Sequence, residues 1–424
     1  MAATFTYAAV YQVEAVCRTP LRTGGTDGNP EQILRDRDGR AFLQGSSLAG
    51  ALRGWLEVRE DSCTVVALFG SQKAPGRLMV SDAVFDTASE QYLRPRLRID
   101  GETASAATGG KFDMAHIGRG AVLRFSLTWL GQPACTGKEL SAIEELLAAM
   151  HSGAIRLGAQ KSNGFGRLSL SVKKRVFDLM DKGDRAAWLA DELEGQPLTL
   201  PQSVHRHEVL FTVKGYTDSI LVKTAPQSYK AGDNYRSYTP NLAEGEQAVL
   251  PGSSVKGAVR SRAEMIARFR GWDGERIDTL FGRSSGDEDN GRAGKVRFED
   301  ALLTGTKKKI SRIHIDRFTG GVFRGGLFTE EPSCTALELR VSAPDEPASC
   351  ALLLYALRDL GLGLYTFGSG WAVGRGVVAV QEIRAAAPDG RTAALRWNDG
   401  VAMDDPDGLF RDWLEKWGEA CHEN

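Results

Sequence analysis

The chain has 424 residues, 25% of them charged and 42% hydrophobic, with a formal net charge of −1. That is enough chain for two domains, and too balanced a charge for nucleic-acid binding by bulk attraction, so such binding has to come from segregated basic surface. The six cysteines stand singly, with no C-x-x-C pair and no histidine cluster to complete a zinc site. Together with the lack of a leader-like N-terminus and of any apolar run near the ~20 residues that cross a bilayer, they point to a cytoplasmic protein. Its thiols are expected to be reduced and mostly buried.

In chain order, the first distinctive phrase is GSSLAGALR at 45–53, which returns as GSSVKGAVR at 252–260. Repetition at that range signals two copies of one fold. A Gly-Ser-Ser turn opening a helix offers backbone N–H groups and hydroxyls as a seat for phosphate, which makes Gly45, Ser46, Ser47, Gly252, Ser253 and Ser254 binding candidates. Leu68-Phe69-Gly70 follows in the first copy and Leu280-Phe281-Gly282 in the second. Next come the strand-like GRLMVSDA (76–83) and GKVRFEDA (294–301), with the apolar alternation of a half-buried strand.

The third block pairs Arg96–Asp100 with Arg312–Asp316, Thr103 with Thr319, Gly109–Phe112 with Gly325–Phe328 and Leu123–Phe125 with Leu339–Val341, at constant offset. A helix then follows, LSAIEELLAAMHSG (140–153) or SCALLLYALRDLGLG (349–363). Each copy closes on a glycine-rich turn: Gly158, Gly164 and Gly166 with Arg167 nearby, or Gly368, Gly374 and Gly376 with Arg375 nearby. Strands and helices in this alternation, with antiparallel hairpins, predict a ferredoxin-like (RRM-like) α+β fold in each copy, its helices on one face of the sheet. The boundaries read as a first module at 1–171, a polar connector at 172–206 with a helix at DRAAWLADELEG, a second module at 207–384, and an acidic C-terminal tail at 385–424 with the amphipathic helix GLFRDWLEKWGEA.

Basic residues crowd both hairpins. Arg94, Arg96 and Arg98 lie on the first; Lys307, Lys308, Lys309, Arg312, Arg317 and Arg324 lie on the second. Matching runs on matching hairpins, in a chain with no net positive charge, point to nucleic acid. Phe112, Phe318, Phe323 and Phe328 are candidates to stack on bases; core packing of the hairpin is an equal reading for Phe112 and Phe328. His314 reads as a solvent-facing strand residue, and His116, His151, His205, His207 and His422 occupy no recognisable site. GSSVKGAVR lacks the Lys-Ser/Thr pair of a Walker A loop and the glycines at 361–376 do not form G-x-G-x-x-G, which excludes nucleotide hydrolysis and dinucleotide binding on motif grounds.

Four phrases in one order, twice over, resemble the RAMP superfamily, the repeat-associated proteins of CRISPR effector complexes. RIHIDRFTGGVFRGGLFTEE (312–331) resembles the thumb hairpin of type III backbone subunits. The nearest likeness is a fusion of two such subunits, III-D-like. The resemblance implies two tandem modules, each with a long thumb β-hairpin, that bind a CRISPR guide RNA and a complementary target RNA. The other type III effector subunits, a large polymerase-like one among them, are the implied protein partners; no membrane is.

The resemblance further implies that the sheet and the Gly-Ser-Ser helix hold the guide backbone. The thumb flips out a base pair, and an aspartate in the loop before the Gly-Ser-Ser turn cuts the target there. In the first copy Asp27, in Asp27-Gly28-Asn29-Pro30, is the candidate, 18 residues before Gly45; in the second it is Asp233, 19 before Gly252, with no proline directly after Asn234. Either would hold a divalent cation, Mg2+ or Mn2+, or orient the 2′-OH. Products would carry a 2′,3′-cyclic phosphate.

Two departures stand out. The family's proline and lysine are present as Pro251 and Lys256, but the first copy has Gln44 and Ala49 there, leaving Arg53, the counterpart of Arg260, as its cation. Competing readings are a non-catalytic backbone in which both aspartates are turn residues, and a guide-precursor processing endoribonuclease of the same superfamily.

Overall fold

The structure, a computed structural model, describes residues 5–25, 29–99, 106–201, 208–231, 234–272, 274–283, 291–398 and 400–422. The chain divides into two compact units, one built from Met1–Asp100, Ala104–Lys161 and Phe165–His205, the other chiefly from Arg206–Asn424.

The first unit opens with β1 (Tyr7–Cys17), followed by α1 (Gly45–Leu56), α2 (Ser62–Phe69), and the short strands β2 (Leu78–Val80) and β3 (Ala83–Phe85). The hairpin β4 (Gln91–Ile99) and β5 (Ala106–Ile117) forms an arm. Then come β6 (Val122–Gly131), α3 (Thr136–Ser152), β7 (Leu168–Asp178) and α4 (Lys182–Leu189). In the antiparallel sheet β1 is central, with β6 on one side and β7 on the other, and β3 beyond β6. This order, fourth strand, first, third, second, is that of a ferredoxin-like βαββαβ unit.

Strand alternation sorts the residues of β1. Ala9, Tyr11, Val13 and Ala15 face a core shared with Leu48, Leu52 and Leu56 of α1 and Ile143, Leu146 and Leu147 of α3. Ala8 and Val10 face the other way, onto a small cluster with Phe177, Trp188 and Leu193. The last three residues belong to the stretch that reads as a polar connector. β7 also runs on past residue 171; its exposed Lys173 and partly exposed Lys174 and Arg175 hide the strand from a composition-based reading.

The second unit repeats the plan. It contains β8 (Glu208–Ile220), the hairpin β9 (Gln227–Ala231) and β10 (Asn234–Pro240), α5 (Gly252–Phe269), α6 (Gly274–Phe281) and β11 (Arg297–Phe298). After these lie the second arm, β12 (Ile310–Ile315) and β13 (Val322–Glu331), then β14 (Ser333–Pro344) and α7 (Pro347–Gly361). The sheet order β11–β14–β8–β15, with β15 at Ala379–Ala386, matches that of the first unit. Ala15 pairs with Leu123 and Leu170 as Val213 pairs with Leu339 and Ile383. The duplication extends to the arms: Arg96 stands opposite Phe112 in the first, and Arg312 opposite Phe328 in the second.

Residues 385–424 are more than a trailing segment. β16 (Thr392–Asn398) and β17 (Gly400–Asp404) widen the sheet beyond β15, and α8 (Leu409–His422) packs Leu409, Phe410, Trp413 and Trp417 into the second core. Trp413 lies 5.6 Å from Phe211 of the central strand, and Trp417 lies 4.8 Å from Trp272, centroid to centroid. All six cysteines are free, but only Cys17 and Cys350 are buried, their thiols pushed up to about 12 by burial; Cys63 is exposed, contrary to the expectation of mostly buried thiols. Among the described residues, no helix is long and apolar enough to cross a membrane. Trp413→Ala is expected to destabilise the second unit by about 3–5 kcal/mol, read as a lowered midpoint in thermal unfolding.

Candidate nucleic-acid interface

The repeated phrases meet in space, and they meet the same way in both units. α1 and α5 have no side-chain cap of their own, since Gln44 and Pro251 hold the N-cap positions. An aspartate from the strand-like block serves instead: the Gly45 N–H donates to Asp82 Oδ1 and the Gly252 N–H to Asp300 Oδ1, each at 2.7 Å. A carboxylate is well suited to the positive end of a helix. The helix sits so close to the strand that a Cβ at Gly45 would lie 2.4 Å from the Val80 carbonyl oxygen, and one at Gly252 would lie 2.0 Å from that of Phe298.

The arginine of each phrase closes a second link. Arg53 donates to the Gly70 carbonyl at 3.4 Å and pairs with Glu57 at 2.8 Å. Arg260 donates to the Gly282 carbonyl and pairs with Glu264 at 2.7 Å and Asp278 at 2.9 Å. Gly70 and Gly282 both take positive φ, 79° and 88°, where a side chain would be strained.

This geometry changes the reading of the phosphate seat. The first backbone donor is already taken by a carboxylate, so a phosphate would meet the next N–H, that of Ser46 or Ser253, and the hydroxyls of Ser46, Ser47, Ser253 and Ser254. Ser46 and Ser47 are exposed; Ser253, Ser254 and Lys256 are half-buried. Arg53 lies eight residues along α1, roughly 12 Å from its start, so it does not stand in for Lys256 at the helix end.

The arms carry an apolar surface as well as a basic one. Leu93, Leu97, Ile99 and Phe112 are exposed on the first, and Ile313, Ile315, Val322, Phe323, Leu327 and Phe328 on the second. Phe112 and Phe328 therefore do not form a hairpin core. At the second tip, Asp316 Oδ1 accepts from the N–H groups of Phe318 and Thr319 at 2.8 Å each, which holds its carboxyl below the usual range and leaves Phe318 99% exposed. Arg317 and Lys308 are exposed, and His314 is exposed and stacked on Phe323 at 5.5 Å.

The first arm departs from its expected role at Arg94, which is buried with its guanidinium 5.1 Å from the Phe165 ring centroid. Arg96 Nη2 reaches Gln160 Oε1 at 3.2 Å. The Arg98 side chain and the arm's tip, residues 100–105, lie outside what is described.

The arms are fastened to their modules by unlike chemistry. In the second, the buried Glu330 carboxylate at the end of β13 receives Lys223 Nζ at 2.9 Å, Arg375 Nη1 of the glycine-rich turn at 2.6 Å, and Arg312 of β12. Burial works to raise the Glu330 pKa, yet the three cationic partners hold it at about 2. Arg312 also lies 5.1 Å over the Phe328 ring, so its charge is shared within the arm. In the first module the repeat puts Met114 where the second has Glu330, and Phe165, between Gly164 and Gly166, where the second has Arg375 between Gly374 and Gly376. There Phe165 meets Arg94 and, at 5.5 Å, His116. Arg167 packs its side chain near Gly153, and its carbonyl accepts from the Arg18 N–H at 2.8 Å.

Asp27 and Asp233 both lie outside the described residues. Their flanking segments, however, meet the outer arm strand at matching places. The Pro30 carbonyl accepts from the Ala115 N–H at 2.8 Å, and Pro240 pairs with Glu331, the repeat equivalent of Ala115. Asp27 is three residues from that anchor and Asp233 seven, so the second candidate has roughly twice the tether. β9 and β10 form a hairpin whose Tyr229 and Tyr238, diagonal neighbours on one face, hold Lys309 Nζ at 4.1 and 4.0 Å from their ring centroids. Lys309 is thus a clasp between this hairpin and the arm, where composition suggests only another phosphate contact. Lys223, Glu330, Tyr229 and Tyr238 carry no repeat signature, and sequence reading passes over them. Among the described residues no group of three His, Cys, Asp or Glu side chains can hold a metal ion, so no described ligand set is assigned to one.

Comparison with known proteins agrees with the duplicated plan. The family model described as RAMPs, the RAMP superfamily, matches residues 14–169 and 238–379. No curated protein matches. A chain of the cryo-EM structure of the type III-B Cmr-beta bound to cognate target RNA is similar at 18% identity and a TM-score of 0.33, over 40% of this chain and 61% of that one. The present chain thus spans less than two thirds of that relative's length.

Two results are expected. Gly45→Ala and Gly252→Ala each destabilise their unit by about 1–3 kcal/mol, measured by denaturant unfolding. For Glu330, the folded pKa of about 2 lies below the ordinary 4.5, so its stabilisation is complete above pH 4.5 and fades as pH falls toward 2. Glu330→Gln therefore lowers stability by about 3 kcal/mol at neutral pH, and the gap from the parent protein narrows across that window.

Proposed function

Since the chain belongs to the RAMP superfamily, with one match in each half, we propose that it is a double backbone subunit of a type III CRISPR effector, binding guide RNA and complementary target RNA. The observation that carries this reading is the pair of arms, each with a cross-strand arginine and phenylalanine at the same register and an exposed apolar surface beside basic residues. A globular protein does not ordinarily leave such hairpins uncovered. Bases unstacked from a duplex are partners of matching chemistry.

The proposal extends to cleavage of the target, one site per module. A-form pairing keeps the 2′-OH out of line with the departing 5′-oxygen; a splayed nucleotide brings them into line. The 2′-oxygen then attacks phosphorus as the P–O5′ bond breaks, leaving a 2′,3′-cyclic phosphate and a 5′-hydroxyl. Orientation of this kind is worth up to ~7–11 kcal/mol. Asp27 and Asp233 are the residues assigned to hold the splayed step, and Asp27 has the better support, from the short tether to Pro30 at the arm's base. A divalent cation, Mg2+ or Mn2+, belongs to the proposal as the group that would neutralise phosphate charge.

The test is target cleavage by the reconstituted complex. Asp27→Ala is expected to abolish one set of cuts and Asp233→Ala the alternate set, both without loss of target binding, and EDTA is expected to stop both. Unchanged cuts in the double variant would reduce the chain to a non-catalytic RNA-binding backbone.

A further inference from the structure

α1 has 12 residues and α5 has 18. The extra turn and a half of α5 carries Met265, Ile266 and Phe269, with Arg270 as its C-cap. Met265 and Phe269 are spaced by four residues and share a face, and they are 58% and 87% exposed. Across from them stand Tyr355 and Arg358 of α7 and Trp417 of α8, and the three helices enclose a groove of about 410 Å³. Among the described residues, neither the α5 extension nor α8, which both build the groove, has a counterpart in the first module. It therefore lies outside the duplicated plan that grips RNA twice.

Its charge is lopsided. The buried Asp359 binds Arg262 Nε at 2.7 Å and Arg358 Nη2 at 2.7 Å, and Arg270 also lines the groove. Three arginines against one carboxylate leave two positive charges beside an apolar floor. Arg358 lies 5.0 Å over the Tyr355 ring and Arg262 Nη1 donates to Met265 Sδ at 3.2 Å, so the cations sit within the apolar lining rather than along a track for a phosphate backbone. A thioether and a phenyl ring on a helix edge suit the packing of another helix's apolar stripe. The surplus charge calls for carboxylates along that stripe.

We propose that this groove docks an acidic amphipathic helix of a partner protein, with Phe269 and Met265 as apolar anchors and Arg270, Arg262 and Arg358 facing its carboxylates. The inference does not depend on RNA cleavage.

It is tested on the full-length chain with a fluorescein-labelled Leu/Glu amphipathic peptide of about 16 residues, its Leu/Lys counterpart, and single-stranded oligouridine as competitor. The Leu/Glu peptide is expected to bind saturably and the Leu/Lys peptide not to. Phe269→Ser and Arg270→Glu should each weaken binding roughly tenfold or more. Both side chains lie at the helix edge, so thermal unfolding should be unchanged. Equal binding of the two peptides, no saturable binding, or variants without effect would overturn the proposal. So would displacement by oligouridine with the same variant dependence, which makes the groove an RNA surface. Self-association of the chain alone, lost in Phe269→Ser, would overturn it in favour of a second copy.

Discussion

A hydrogen bond of 2.7 Å between the first N–H of the Gly-Ser-Ser helix and an aspartate carboxylate organises each half of this molecule. It replaces the missing local cap, draws the helix against the short strand just before the aspartate, and leaves no room for any residue but glycine. The arginine two turns further on ties the same helix to the Leu-Phe-Gly turn. Three phrases that recur in the sequence are thus the three parts of one joint. Their repetition is first of all a requirement of packing, and the proposed RNA binding would have to work with the donors the joint leaves over.

That joint positions the sheet, and the sheet positions the arms, but the arms are secured by different means. The second rests on a buried carboxylate with three cationic partners and on a lysine held between two tyrosines. The first rests on an arginine over a phenylalanine, with a histidine beside it. A carboxylate fastening such as Glu330 is lost in acid, whereas an arginine over an aromatic ring does not titrate there. The two modules share a fold and a register while differing in what sets the angle of each arm.

The halves also differ in what they add. The second carries a longer first helix, two further strands and a C-terminal helix whose tryptophans complete its core. These additions build a basic, apolar groove on helices rather than on the sheet or arm. The duplicated plan does not account for such a surface, which is the ground for assigning it to the proposed helical partner rather than to the proposed RNA.

The amino-acid sequence by itself determined the duplication, the α+β class and the arms, because each depends on short-range pattern: alternation in strands, four-residue spacing on helices, glycine where backbones touch. The two candidate aspartates, by contrast, are what the resemblance to the RAMP superfamily implies for the loop before the Gly-Ser-Ser turn. Only the tertiary structure decided that Arg53 and Arg260 staple helices, that Arg94 is buried, that Lys309 is a clasp, and that β16 and α8 belong to the second core. Those outcomes depend on which side chains meet across long loops. A lysine reads the same in sequence whether it faces solvent or lies between two rings, and only the packing of distant segments distinguishes the two.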